Sequence, residues 1–328
     1  MLRRLVLAAV VLGVTTGCGP GGDDPTPAEP TPLGSGNPFQ ERAQYDAPDP
    51  ALVSAAKQAA ADGDQHASDV LTRLDGVPTG IWLTPERSPT PDDVAAYVTE
   101  AVTAAADQDE VPVFVVYGVP DRDCTGGLSS GGLTAETYEP WVDAIAQAAG
   151  SSSVVVLEPD ALPGAVQCGV ADQRVPLLKQ AVDALDHAGV MTYLDAGHSD
   201  WLPADQIAEL LKQVGVASTR GFSVNVSNYQ PTSAETAYAE QLSGMLGGAH
   251  YVVDTGRNGL GAGAVTDWCN PSGQALGREP GFIDDGTALD AYVWVKPPGE
   301  SDGTCNGGPA AGQLWPQRAV ELATAAGW

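Results

Sequence analysis

Val154-Val155-Val156-Leu157, followed at once by Glu158-Pro159-Asp160, decides the fold. An unbroken run of β-branched and aliphatic residues, with no polar residue alternating in it, is the pattern of a strand buried on both faces in a parallel sheet. The acids stand at its C-terminal tip. The same arrangement recurs along the chain: Val113 to Tyr117 leads to Asp121-Arg122-Asp123, Met191 to Leu194 leads to Asp195, Tyr251 to Val253 leads to Asp254, and Tyr292 to Lys296 leads to Glu300 and Asp302. Five acid-tipped strands imply one shared site.

Working outward, the periodicity predicts strands near 79–83, 111–117, 153–157, 191–195, 221–226, 250–254 and 291–296. They alternate with helices near 50–74, 92–108, 135–149, 174–188, 204–214, 234–247 and 316–326. Such alternation calls for parallel strands with helical crossovers. No Gly-x-Gly-x-x-Gly follows the first strand, as a dinucleotide fold would require, and acids spread over many strand tips suit the mouth of a barrel. The expected fold is therefore α/β, with the parallel strands in a β/α barrel rather than an open doubly wound sheet, occupying residues 39–328. At 328 residues and 43% hydrophobic content the chain can bury such a core.

Fifteen basic residues against 42 acidic ones, a formal net charge of −27, argue against nucleic acid as a partner, because neutralising phosphates needs clustered Lys and Arg. Arg3 and Arg4 precede an apolar stretch from Leu5 to Val14 and then Thr15-Thr16-Gly17-Cys18, the layout of a signal peptide over 1–17. Small residues before a cysteine also suggest lipid attachment at Cys18, with residues 18–38, rich in Pro and Thr, as a spacer. The expected location is outside the cell, held by that lipid on the outer face of the membrane. With Cys18 set aside, Cys124, Cys168, Cys269 and Cys305 remain for an oxidising compartment, and three pairings are open from sequence. The favoured one joins Cys124 to Cys168 and Cys269 to Cys305, each pinning loops that follow strands.

Several segments could carry chemistry. Asp123 sits between Arg122 and Cys124, ahead of Gly126-Gly127 and Gly131-Gly132, in a loop that can approach a ligand closely or simply hold an Asp–Arg pair. Asp160, at a strand end among other acids, would have its pKa raised by burial and like charge and could donate a proton, although a helix cap is the plainer reading. Asp195-Ala196-Gly197-His198-Ser199-Asp200-Trp201 sets an acid beside a His and a Trp, a mixture that suits a sugar: ring faces against pyranose rings, carboxylates against hydroxyls. Trp82, Trp201, Trp268 and Trp294 lie in or beside strand ends. His66, His187, His198 and His250 lack zinc-ligand spacing, and no Asp-x-Asp-x-Asp-Gly calcium loop occurs.

Seven ordered segments carry a specific resemblance: Val115 to Cys124, Glu158 to Leu162, Tyr193 to His198, Asn225 to Tyr229, Asp254 to Gly259, Asp267 to Asn270, and Trp294 to Gly303. Together they resemble glycoside hydrolase family 6, cellulases that cleave β-1,4-glucan with inversion. The resemblance implies a distorted parallel β/α barrel of about seven strands with an open active-site cleft. It implies that Asp160 is the general acid, that Asp123 assists it, that Asp195 tunes it and that Asp302 is the general base. It further implies sugar contacts at Trp82, Tyr117, Ser129, His198, Trp201, Asn225, Trp268, Lys296 and Glu300, and the same cysteine pairing. No metal or other cofactor is expected, and a monomer is expected to suffice. Processive relatives close the groove with long loops, whereas Cys269 to Cys305 is compact here. The expected action is therefore endo, on soluble or amorphous glucan; the alternatives are a cellobiohydrolase or a glucan-binding protein that has lost catalysis.

Overall fold

The computed structural model describes residues 28–260 and 268–328. The expected leader, Cys18 and the first part of the spacer lie outside the described residues. The strands are β1 (Ile81–Leu83), β2 (Val113–Val116), β3 (Val154–Leu157), β4 (Met191–Asp195), β5 (Gly221–Val224), β6 (His250–Asp254), β7 (Gly281–Phe282) and β8 (Leu289–Val293). Their order across the sheet is β1-β2-β3-β4-β5-β6-β8-β7. Every neighbouring pair is parallel except β7–β8, so seven parallel strands carry the sheet and the two-residue β7 is an antiparallel addition at its edge. The sheet curls until its first strand meets the end of β8. There the Gly80 amide donates to the Trp294 carbonyl at 2.9 Å and the Trp82 indole to the Val295 carbonyl at 2.8 Å.

Alternate residues on each strand serve two cores. Val113, Val115, Val154, Val156, Tyr193, Val252, Ala291 and Val293 fill the interior, while Phe114, Val116, Val155, Leu157, Leu194, Phe222 and Val253 pack beneath the helices. Burial on both sides is why these strands read as continuous apolar runs. The helices are α1 (Pro38–Glu41), α2 (Pro50–Ala61), α3 (Gln65–Leu74), α4 (Pro91–Asp107), α5 (Ala135–Ala149), α6 (Ala161–Cys168), α7 (Ala171–His187), α8 (Ala204–Val214), α9 (Thr232–Met245) and α10 (Pro316–Ala325). None of these is long and apolar enough to cross a membrane.

Two differences from the sequence reading have plain causes. The single helix expected over 50–74 is two, because Gly63 takes a left-handed φ of +83° and Asp64 then caps α3 by accepting from the Ala67 amide. Helix α6, absent from that reading, holds Pro163 and Gly164 in its first turn, where a proline costs no intrahelical hydrogen bond.

The floor of the barrel, at the N-terminal strand ends, is plugged. Phe39 of α1 stacks on Tyr193, their ring centres 6.4 Å apart. A register shift between Tyr251 and Val252 leaves Asp290 as an extra residue of β8, where it accepts from the Tyr193 hydroxyl at 2.6 Å and from Arg220 through two bonds of 2.8 Å.

Candidate active site

The C-terminal rim of the barrel concentrates unusual backbone. Among the described residues, seven of the nine non-glycine residues with positive φ lie there: Asp121, Asp123, Glu158, Asp160, Asn225, Ser227 and Asn270. Each such conformation costs about 1–3 kcal/mol and persists only where surrounding contacts enforce it. At this rim buried carboxylates accept the amides of three of these residues, Asp160, Ser227 and Asn270.

Glu158, 1% exposed, accepts the Gly118 amide at 2.9 and 3.2 Å and so ties the loop after β2 to the end of β3. Asp195, also 1% exposed, accepts the amides of Asp160 at 2.9 Å and Gly197 at 3.0 Å and the Ser223 hydroxyl at 2.9 Å, joining β3, β4 and β5. Asp254 accepts the amides of Ser227, Gly256 and Lys296 at 2.9–3.1 Å and joins β5, β6 and β8. Burial pushes Glu158 and Asp195 up to about 7 against the pull of these donors, and it raises Asp254 as well. Three of the acids at strand tips are thus staples between adjacent loops.

Asp160 differs. It stands in left-handed conformation at the start of α6, where its side chain makes no cap, and it retains partial exposure to the groove. Enough protein surrounds it that burial is the first cause raising its pKa well above the usual range; the charges of Asp195, Asp123 and Asp302 add to that, and Lys296 pulls the other way. A carboxyl so placed keeps its proton near neutral pH. Asp123 accepts the Gly126 amide at 3.0 Å and the Ser129 amide and hydroxyl at 2.7 and 3.0 Å. The glycine-rich loop is thereby folded over its own acid.

Asp302 is held the opposite way. Burial would raise its pKa, but Arg257, Lys296 and the Asn270 amide outweigh burial and lower it. Arg257 donates to Oδ1 at 2.8 Å, while the Tyr229 hydroxyl and the Asn270 amide each donate to Oδ2 at 3.0 Å. One rim therefore holds a protonated acid and an ionised one, the pairing that acid–base hydrolysis of an acetal needs.

Around these acids the expected sugar contacts form two groups. On one wall the Ser129 hydroxyl lies 3.1 Å from that of Tyr117, whose ring meets Trp82 edge-on at 5.3 Å; Lys296 Nζ lies 5.6 Å from the Trp82 ring and 3.8 Å from Glu300. On the other, His198 and Trp201 are 5.3 Å apart, and burial holds His198 down to about 4, so the imidazole is neutral. Trp268, 46% exposed, lies against Gly126, where a Cβ would come within 2.7 Å of its ring, beside Asp123. Asn225 is fully buried with its amide engaged by the Asp254 carbonyl and the Gln230 amide, so it shapes the rim from within. Disulfides join Cys124 to Cys168 and Cys269 to Cys305, anchoring the loops that carry Asp123, Trp268 and Asp302.

Arg257 and Tyr229 were not among the expected site residues, although both lie in quoted segments. Arg257 follows Asp254 by three residues at a strand tip; in a chain this acidic, a lone arginine there was the available signal. Among the described residues no group of His, Cys, Asp or Glu is arranged to hold a metal ion.

A family model described as glycosyl hydrolases family 6 matches residues 39–326. Endoglucanase A of Cellulomonas fimi is 47% identical over 236 residues, 72% of this chain and 51% of that protein, so the chain spans about half its length. Endoglucanase A of Thermobispora bispora is 37% identical over 333 residues, 98% of this chain and 69% of its own. The structure of the endoglucanase Cel6 from Mycobacterium tuberculosis, in complex with methyl-cellobiosyl-4-deoxy-4-thio-β-D-cellobioside, superposes with a TM-score of 0.82 at 42% identity, covering 89% of this chain and 100% of that one.

Proposed function

This chain belongs to glycosyl hydrolases family 6, and from that premise we propose that it is an inverting endo-β-1,4-glucanase acting on internal bonds of cellulose or a soluble derivative. The observation that carries the reading is the opposed state of two carboxyls at one rim, Asp160 raised by burial and neighbouring acids and Asp302 lowered by Arg257. In the proposed reaction Asp160 hands its proton to the glycosidic oxygen as the bond to the anomeric carbon breaks. A water enters from the opposite face, and its proton passes toward the negative charge of Asp302. Inversion follows from that single displacement. Asp123 organises the water and adds to the charge that keeps Asp160 protonated. Asp195 holds the Asp160 backbone from below.

The proposed glucan path runs from Trp82, Tyr117, Ser129, Lys296 and Glu300 past the acids to His198, Trp201 and Trp268, with Asn225 supporting the rim. Residues 39–328 are the proposed catalytic unit. Ahead of it we place a leader at 1–17, lipid at Cys18 and a spacer to 38, with the protein exported as a monomer to the outer face of the membrane. Mass spectrometry of the native N-terminus checks that placement, since an unmodified Cys18 removes the anchor. For the reaction itself, cellohexaose digestion followed by anomer and product length is decisive. The proposal expects α-anomers and mixed lengths; β-anomers would remove inversion, and cellobiose alone would point to exo action.

A further inference from the structure

Helix α9 presents Glu235 and, one turn later, Tyr238 to the loop that follows β4. Glu235 is fully buried; its Oε1 accepts the Ser199 amide at 2.9 Å, and its Oε2 has no hydrogen-bond partner. The Tyr238 hydroxyl donates to the Leu202 carbonyl at 3.1 Å. The intervening residues are Asp200 and Trp201, and His198 immediately precedes Ser199. One helical face therefore grips both ends of the short segment that carries the two aromatic groups of the second wall, and the grip on Ser199 is made by an acid that the hydrolytic reaction does not use.

We propose that Glu235 is a positioning residue for glucan binding, holding the Ser199 amide so that His198 and Trp201 stand ready for the sugar. The chemistry favours this over a packing role. A buried carboxyl with an unpartnered oxygen is costly, and an apolar side chain of similar size would fill the space without that cost. What an apolar residue cannot do is accept the amide of a loop that enters through Gly197 at a φ of +75°. Burial raises Glu235 to about 7, Ser199 pulls it down, and Asp195 and Asp200 add to the rise. The acceptor survives in either protonation state, because a neutral carboxyl still offers its carbonyl oxygen.

The inference rests on the reading of His198 and Trp201 as sugar contacts, so the wild-type enzyme is assayed first on cellohexaose: no turnover there overturns that reading and this one with it, whereas the variants below, in an active enzyme, test this one alone. With an active wild type, Glu235→Ala should raise KM for cello-oligosaccharides about three- to tenfold, the equivalent of one lost hydrogen bond, with kcat nearly unchanged. Glu235→Gln, which keeps the acceptor oxygen, should bring KM back toward the wild-type value. A kcat loss at unchanged KM, or no rescue by glutamine, overturns the proposal. Amide hydrogen exchange on the unaltered protein gives a check that needs no variant: Ser199 should exchange slowly, and exchange at the rate of an open loop overturns the proposal as well.

Discussion

Two aspartates stand at opposite ends of the barrel and meet opposite company. Asp290, at the floor, is closed in by Arg220, the Tyr193 hydroxyl and His250, whose Nδ1 is 3.0 Å away. Asp160, at the mouth, faces Asp195, Asp123 and Asp302, with Lys296 only partly offsetting them. Burying a charge is tolerable when a partner compensates it, and the floor follows that rule. The mouth does not: there the cost of burial and like charge is met by keeping a proton on Asp160. The same residue type thus ties the barrel together at one end and forms a store of acidity at the other.

The sharpest break between the two is a pair of crossed substitutions. Asp160→Asn removes the proton donor and should lower kcat by about 10²–10⁴, or about 3–5.5 kcal/mol of barrier. It exchanges a protonated carboxyl for a neutral amide of the same shape and leaves the bond from the residue 160 amide to Asp195 in place, so the melting temperature should not fall. Asp290→Ala should do the reverse. It strands Arg220 without its carboxylate and should cost about 3–5 kcal/mol of stability, with kcat near wild type wherever the variant is folded. Chemical unfolding and initial rates on the same two preparations check both. Loss of stability in the first variant, or of turnover in the folded second, would erase the distinction.

How much of this was legible in the chain depends on what each feature needs. The β3 run and its acids gave strand, direction and rim together, because both-face burial is written as continuous Val and Leu. The bulge that aims Asp290 was not, since it depends on the register of β8 against β6; the expected strand at 291–296 begins two residues late. The short α6 was hidden by Pro163 and Gly164, residues that read as breakers unless the helix start is already known. At the rim, every acid tip was visible as an acid, but nothing in the order of residues separates Asp195 and Asp254, filled by backbone amides, from Asp160, which has no such donors. That separation comes from which loops meet. Arg257 is hidden for the same reason: its partner Asp302 is 45 residues away and meets it only once the sheet has curled.

Within the mouth itself, Asp302 shows that pairing can be put to chemical use, and removing its partner gives a finer test of the comparison. Its pKa is lowered because Arg257 and Lys296, with the Asn270 amide, outweigh burial, so it remains ionised well below neutral pH and can draw the proton of water there. Arg257→Met keeps side-chain volume and leaves Lys296, Tyr229 and Asn270 against an unchanged burial, so the balance shifts toward burial. The carboxyl then takes up its proton at higher pH. Since the proposed reaction requires ionised Asp302 and protonated Asp160, the acid limb of kcat/KM should move upward by about one to three pH units and the bell should narrow from that side. Stability carries the same sign. A lowered native pKa contributes stability above the unfolded value and loses it as pH falls through the native one, so the variant should forfeit that contribution at neutral pH. An acid limb that stays in place in a folded Arg257→Met enzyme would mean that the ionised state of Asp302 is set by something other than this pair, and the contrast between a paired and an unpaired aspartate would no longer explain the site.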